Sequence, residues 1–178
     1  MGAKTKLSAA VLALVLGGAT ADKILDQFLD EKEGVRTIAY QDGRGIWTIC
    51  RGLTRIEGKP VTRGMKISYS ECKRYDAIES YKAIAWVKRN VTVPLSEPAI
   101  AGIASFCPYN IGPGKCLPST FYKRLNSGDR KGACEAIRWW IKDGGRDCRL
   151  TKGKKNGCYG QVERRDQESA LACWGLDE

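Results

Sequence analysis

The sequence predicts an α+β fold of two lobes, a small β-sheet lobe joined by a long helix to a larger helical lobe. Three observations carry that reading. Residues 35–54 are rich in β-branched and aromatic side chains and are interrupted by Asp42-Gly43 and Gly45, the pattern of a small antiparallel sheet. Ser68 and Glu71 form a capping box at the head of a long amphipathic helix. From Ser96 onward the chain breaks into short helical stretches separated by turn residues. With 178 residues, 43% of them apolar, the chain can bury a core of ordinary size, which excludes disorder.

The N-terminus carries Lys4 and Lys6, followed by an uncharged run over residues 7–21 that ends in Ala19-Thr20-Ala21. A basic flank, an uncharged stretch and a small-residue ending make an export segment. Cleavage after Ala21 is one fate. Retention is the other, and the run is then a weak anchor, because it falls short of the ~20 strongly apolar residues that hold a helix in a bilayer. A buried core helix is the structural alternative, placed behind export because of the basic flank. The chain divides accordingly into an export segment, 1–21, and a folded domain, 22–178.

From Asp22, a candidate N-cap, Ile24, Leu25, Phe28 and Leu29 recur on one helical face, and Gly34 stands where a helix commonly ends. Glu33 thus falls in the last turn. The long helix runs to about Asn90, with Cys72, Tyr75, Ile78, Tyr81 and Ala85 as its expected stripe, and spans on the order of 30 Å. Further helices are expected over about 97–107, 120–126, 130–141 and 160–173, after Ser96, Ser119 and Asp129 for the first three. The cleft between the lobes is the natural seat for a polymer.

Thirty Lys and Arg against 20 Asp and Glu give a formal charge of +10, which favours an anionic partner or simply a solvated basic surface. Eight cysteines, an even number, suit an oxidising compartment such as the periplasm. No close Cys pair and no His occur, so a zinc site is disfavoured and neither metal nor cofactor is expected. Short loops and neighbouring elements suggest the pairs Cys107 with Cys116 and Cys148 with Cys158, leaving Cys134 with Cys173 and Cys50 with Cys72. The lack of His also excludes Ser-His-Asp and Cys-His chemistry, so acid and base work falls to carboxylates.

Glycoside hydrolysis needs one carboxylic acid to protonate the leaving oxygen and a second group to manage a water or the developing positive charge. Glu33 suits the first role, because partial negative charge at a helix C-terminus disfavours an ionised carboxylate. Asp42, at a polar turn nine residues on, suits the second. Thr48 lies six residues further along a strand, sharing a face with Ile46 and Cys50, and offers a hydroxyl to hold the water. Taken singly, these are also an ordinary helix-end carboxylate, a turn former and a β-former.

The stretch E-G-V-R-T-I-A-Y-Q-D-G-R-G-I-W-T-I-C-R-G-L-T resembles the active-site signature of phage-type lysozymes related to the T-even phage enzyme, glycoside hydrolase family 24. Glu33, Asp42 and Thr48 stand at the matching positions. The resemblance continues through Ser105-Phe106, Tyr109-Asn110, Gly112, Gly114 and Ser119-Thr120, which look like the family's groove segment, and on to Arg138-Trp139, Gly144-Gly145, Arg164-Arg165 and Cys173-Trp174. It implies a two-lobed lysozyme that hydrolyses peptidoglycan between N-acetylmuramic acid and N-acetylglucosamine, with Glu33 as general acid, Asp42 assisting water and inversion as the outcome. Tyr109, Asn110, Ser119 and Thr120 become candidate sugar contacts. The chain departs from the pattern at Cys50-Arg51, where many relatives have a His two or three positions on, so no His-dependent role is expected.

The N-terminal run resembles the signal-arrest-release segments of a subset of these endolysins. That implies a monomer held at the periplasmic face of the inner membrane through residues 7–21 and later freed to the periplasm, with no nucleic-acid partner. Trp139 and Trp140 are expected in the core, and Lys152, Lys154 and Lys155 in a solvated loop. The competing readings are a lytic transglycosylase, which uses a Glu acid but no water, and a non-catalytic basic module that binds peptidoglycan.

Overall fold

A computed structural model describes residues 6–176; Lys4 lies outside the described residues. Helix α1 (Ala9–Leu16) is capped by Ser8, whose Oγ accepts from the Val11 amide at 3.1 Å. Leu7, Val11 and Val15 are buried in the same core as Ile24, Leu25, Phe28 and Leu29 of helix α2 (Ala21–Glu33). In this structure α1 packs one face on the core, while Leu16 stays 69% exposed. Each such buried Val or Leu contributes about 1.5–3 kcal/mol. Polar ties fix the edge of the segment: Ser8 Oγ donates to Glu31 at 2.7 Å, Lys6 Nζ lies 2.8 Å from Asp166, and Gln167 donates to the Lys6 carbonyl at 2.8 Å. Among the described residues no helix is long and apolar enough to cross a membrane.

Thr20, not Asp22, is the N-cap residue of α2. The helix starts earlier than expected because the Ala21 amide has a partner from outside, Glu97 Oε2 at 2.6 Å. Asp22 falls in the first turn, where the Thr20 hydroxyl holds its carboxyl below the usual range. Gly34 ends the helix at φ 64°, a conformation that a side chain would strain, and turns the chain into the sheet.

Strands β1 (Arg36–Gln41) and β2 (Trp47–Cys50) pair antiparallel, with Tyr40 opposite Thr48 and Gln41 opposite Trp47. A two-residue ladder, β3 (Arg55–Ile56) with β4 (Lys59–Pro60), completes this lobe over a small core of Ile49, Cys50, Val61 and Cys72. Helix α3 (Tyr69–Asn90) carries the full capping box of Ser68 and Glu71 and is about 33 Å long. Its buried face is Cys72, Asp76, Ser80, Ala83, Ile84 and Val87, which corrects the expected stripe: Ile78 and Tyr81 are exposed at 45% and 72%. The reason is electrostatic, since Asp76 and Ser80 are drawn inside by Arg51.

In the helical lobe α4 (Glu97–Ala104) continues as a π-helical turn, Ser105–Ile111, instead of an α-helix to 107. Pro108 lies within the turn and has no N–H to supply to an α-helical ladder. Short helices α5 (Pro113–Cys116), α6 (Thr120–Asn126) and α7 (Arg130–Ile137) follow, then a ladder of β5 (Lys142–Asp143) with β6 (Arg146–Asp147) and a 3-10 turn, Cys148–Thr151. Helix α8 (Tyr159–Ala172) closes the lobe. It packs so tightly on α4 that a Cβ on Gly102 would stand 2.7 Å from that of Leu171.

Helix α7 stops short of 141, and this displaces Trp139 from the core: it is 50% exposed, with the Arg124 guanidinium 5.2 Å from its ring centre. Trp140 does pack inward, edge-on to Phe106 at 5.9 Å. The cysteines are joined as Cys50–Cys72, Cys107–Cys116, Cys134–Cys173 and Cys148–Cys158, with Cα separations of 5.2, 5.4, 6.0 and 4.9 Å. The first of these links β2 to α3 across the small lobe.

Candidate active site

Glu33 is the last residue of α2, and only Gly34 and Val35 separate it from β1. Its Oε1 accepts from Arg164 Nη1 of α8 at 2.6 Å, and its side chain is 27% exposed. Seen from the sequence, Glu33 meets only the negative end of its own helix. The structure adds a cation that the periodicity of α2 does not reveal.

The β1–β2 turn brings Asp42 and Thr48 together around the peptide of Ile46. Asp42 Oδ1 accepts from the amides of Arg44 and Ile46, both at 2.9 Å, and the Asp42 amide donates to the Ile46 carbonyl at 3.0 Å. Thr48 Oγ1 donates to the same carbonyl at 2.9 Å. Thr48 is buried at 3% exposure, and with its proton committed the hydroxyl presents its lone pairs as acceptors. Ile46, expected on the same face, is exposed at the turn.

Arg51 lies within the family-like stretch, directly after Cys50, at the point where the chain departs from the family pattern. Its side chain is completely buried. The guanidinium meets Asp26 at 2.8 Å and Asp30 at 3.1 Å on α2, and Asp76 at 3.3 Å on α3. Lys73 joins the same Asp26 and Asp30 at 2.9 and 2.7 Å. Burial pushes the Asp76 carboxyl above its ordinary value, and Arg51 opposes that shift. The cluster ties the strand of Thr48 to the helix of Glu33.

Tyr109, on the π-helical turn, donates to the Arg51 carbonyl at 3.2 Å. Burial pushes its phenol well above the usual range, and the charge of Glu33 adds to this. The tyrosine also lines a cleft of about 860 Å³ running between the loop after β2, the exposed face of α3 (Tyr75, Ile78, Lys82, Trp86) and Pro113. Glu33, Asp42 and Thr48 do not themselves line this cavity.

The other groove candidates have different placements. The Asn110 side chain accepts from Arg165 Nη2. Ser119 is buried as the N-cap of α6, accepting from the Tyr122 amide, and Thr120 is the exposed first residue of that helix. Ser105 and Phe106, read from the sequence as groove residues, are fully buried. Sequence reasoning also missed Glu168, a buried carboxylate that binds both Arg164 and Arg165. The only signal for it is its i+4 and i+3 spacing from the two arginines, which equally describes a surface ion pair.

The fold is two-lobed, with Glu33 at the end of α2 and Asp42 at the β1–β2 turn that follows it. A family model described as phage lysozyme matches residues 30–168, and the chain belongs to that family. It is 73% identical over 178 residues to a SAR-endolysin of Escherichia phage N15, covering all of both chains. It is 71% identical over 172 residues to a probable prophage lysozyme of Escherichia coli (strain K12), covering 97% of this chain and 96% of that one. Among solved structures, an endolysin from Escherichia coli O157:H7 phage FAHEc1 superposes with a TM-score of 0.71 at 35% identity, over 83% of this chain and 89% of that chain. The active form of the P1 phage endolysin shares the fold, with a TM-score of 0.68 at 20% identity over 94% of each chain. Family membership makes the chain a peptidoglycan-cleaving lytic enzyme.

Proposed function

We propose that the chain is an endolysin that hydrolyses the β-1,4 bond between N-acetylmuramic acid and N-acetylglucosamine. The carrying observation is the Asp42–Ile46–Thr48 turn, which fixes a carboxylate and a hydroxyl acceptor on one rigid hairpin directly after the helix that ends in Glu33. Glu33 protonates the departing glycosidic oxygen. Asp42 takes up the proton of the attacking water or stabilises positive charge at the anomeric carbon, and Thr48 accepts a hydrogen bond from that water. Attack on the face opposite the leaving group inverts the anomeric centre. Tyr109, Asn110, Ser119 and Thr120 are the proposed sugar contacts, Ser119 also capping α6.

A water-managing pair favours hydrolysis over the transglycosylase reaction, which closes an anhydro ring without water. Mass spectrometry of peptidoglycan digested by the purified protein is expected to show fragments ending in reducing N-acetylmuramic acid. Anhydro ends would overturn the hydrolytic assignment, and binding without soluble fragments would make the chain a wall-binding module.

Residues 1–21 are proposed to export the protein, to hold it uncleaved at the inner membrane, and to dock as α1 after release into the periplasm. Support comes from the uncharged run 7–21 and from relatives named SAR-endolysins that match end to end. Replacing Gly17 and Gly18 by Leu deepens insertion by roughly 0.3–0.6 kcal/mol or more per residue. The same change disfavours the docked form, because Gly17 caps α1 with a Cβ position 3.1 Å from the Ala13 carbonyl and Gly18 has φ 72°. Delayed lysis and a membrane-bound variant are expected, with N-terminal sequencing of the soluble wild-type form showing an intact start. A start at Asp22 would establish cleavage instead.

A further inference from the structure

We infer that Glu168 is a positioning residue that shares the Arg164 guanidinium with Glu33 and thereby keeps Glu33 able to hold its proton. The inference rests on Glu33 being the general acid. Glu168 is fully buried on α8. Its Oε1 accepts from Arg164 Nε at 3.0 Å and from Ser105 Oγ at 2.6 Å, while its Oε2 accepts from Arg165 Nη1. Arg164 turns its other face to Glu33, and its side chain is only 10% exposed. Arg165 is anchored elsewhere, on the Trp140 carbonyl at 3.1 Å, on Gln161 at 3.2 Å and over the Phe106 ring. One buried carboxylate thus serves two buried guanidinium groups, one of which ends on the catalytic acid.

The charge balance gives this arrangement its consequence. A general acid must be protonated when the substrate arrives, yet an unshared guanidinium at hydrogen-bond distance favours the carboxylate form. Glu168 takes up part of the Arg164 charge and adds its own negative field. Arg164 can then hold the Glu33 side chain in place without stripping its proton. Among the described residues the charged groups of the packed elements are engaged with other partners, and on β1 Arg36 lies over the Tyr40 ring. On α2, Asp30 faces Arg51 and Lys73, and Lys32 lies over the Phe28 ring. On α4, Glu97 is committed to the Ala21 amide. On α7, Arg138 faces Glu135 and Asp166, and in the 3-10 turn Arg149 pairs with Asp147. The π-helical turn contributes Tyr109, whose phenol is pushed upward and stays neutral, and Ser105, which donates to Glu168 itself.

The test is the pH dependence of wall digestion by Glu168→Gln, Glu168→Asp and Ser105→Ala, with thermal unfolding followed in parallel. In Glu168→Gln the whole Arg164 charge falls on Glu33, so the alkaline limb of the kcat profile is expected to move to lower pH by about one unit. Glu168→Asp, which keeps the charge, is expected to restore the limb. Ser105→Ala removes a donor from Glu168 and strengthens its hold on Arg164, so its limb is expected to move slightly to higher pH. A Glu168→Gln enzyme that is less heat-stable but has an unchanged profile would overturn the inference. If that variant does not fold, Ser105→Ala decides: a limb that stays or moves to lower pH overturns it. Glu33→Gln measured alongside separates the two readings, because residual activity there at every pH would remove the acid role of Glu33 itself.

Discussion

Glu33→Gln is expected to lower the rate of peptidoglycan clearance by at least about a hundredfold, the smallest loss usual when a general acid is removed. The substitution keeps the shape of the side chain and leaves an oxygen to accept from Arg164, so the α2–α8 contact survives and the fold with it. What is lost is the transferable proton, without which the sugar oxygen must leave as an anion. Asp42→Asn is expected to be nearly as damaging, because the amide still accepts from the Ile46 amide but takes up no proton from water. Thr48→Ala should cost less, since it removes one hydrogen bond from a site still framed by the hairpin. Turbidity clearance by purified protein, with circular dichroism to verify folding, is the measurement. More than about a tenth of wild-type activity in Glu33→Gln would show that another group supplies the proton.

Local chemistry made much of the frame readable in the sequence. The apolar face of α2, its stop at Gly34, the hairpin turn at Asp42 and the capping box of α3 each follow from periodicity or from residue types whose backbone preferences are strong. Short-range logic also proposed Cys107 with Cys116 and Cys148 with Cys158, whose sulfurs close loops of nine and ten residues in the structure. Where reading by pattern failed, a distant partner decided the outcome. Asp76 and Ser80 sit on the inner face of α3 because Arg51 waits there, and a hydrophobic stripe drawn through Tyr75, Ile78 and Tyr81 gives no hint of it. Tyr75 and Ile78 face the cleft instead, and Tyr81 is exposed to solvent. Trp139 lies outside the core because α7 ends at Ile137, four residues short of the expected 141 and before Trp139 is reached.

Glu33, Asp42 and Thr48, the candidate site residues, carry a spacing that a resemblance can pick out, but the arginine that pairs with Glu33 lies far along the chain. Arg164 is 131 residues from Glu33, and nothing in either local sequence points to the other. Arg51 reads as a surface residue by type, since arginine is almost never fully buried unless paired. Its partners come from two helices on either side of the strand, so the burial emerges only once α2, β2 and α3 are assembled.

Arg51→Met is expected to be among the most destabilising single changes in the chain, costing on the order of 3–5 kcal/mol at neutral pH, as does removal of one partner from a buried ion pair. Methionine nearly fills the volume, so the loss reports charge more than a cavity. With Arg51 gone, Lys73 alone faces Asp26 and Asp30, and Asp76, fully buried, loses its counter-charge. The pH dependence follows from the sign of the Asp76 shift. Its folded-state value is already raised by burial, so the stability it contributes is complete below the ordinary carboxylate range and is lost as pH rises through the raised value. Removing Arg51 raises that value further. The deficit of Arg51→Met relative to wild type should therefore be largest at pH 7 and shrink as the pH falls toward about 4, where Asp76 is protonated in the folded variant. Adding Asp76→Asn to Arg51→Met should restore part of the loss at pH 7, because the unpaired buried charge is gone. Chemical denaturation of the single and double variants at both pH values checks this, and a double variant no more stable than Arg51→Met at pH 7 would refute the electrostatic account. Because the cluster ties β2 to α2, the double variant should regain stability without regaining full activity: a neutral pair at positions 51 and 76 no longer holds the strand of Thr48 against the helix of Glu33 through Asp26 and Asp30.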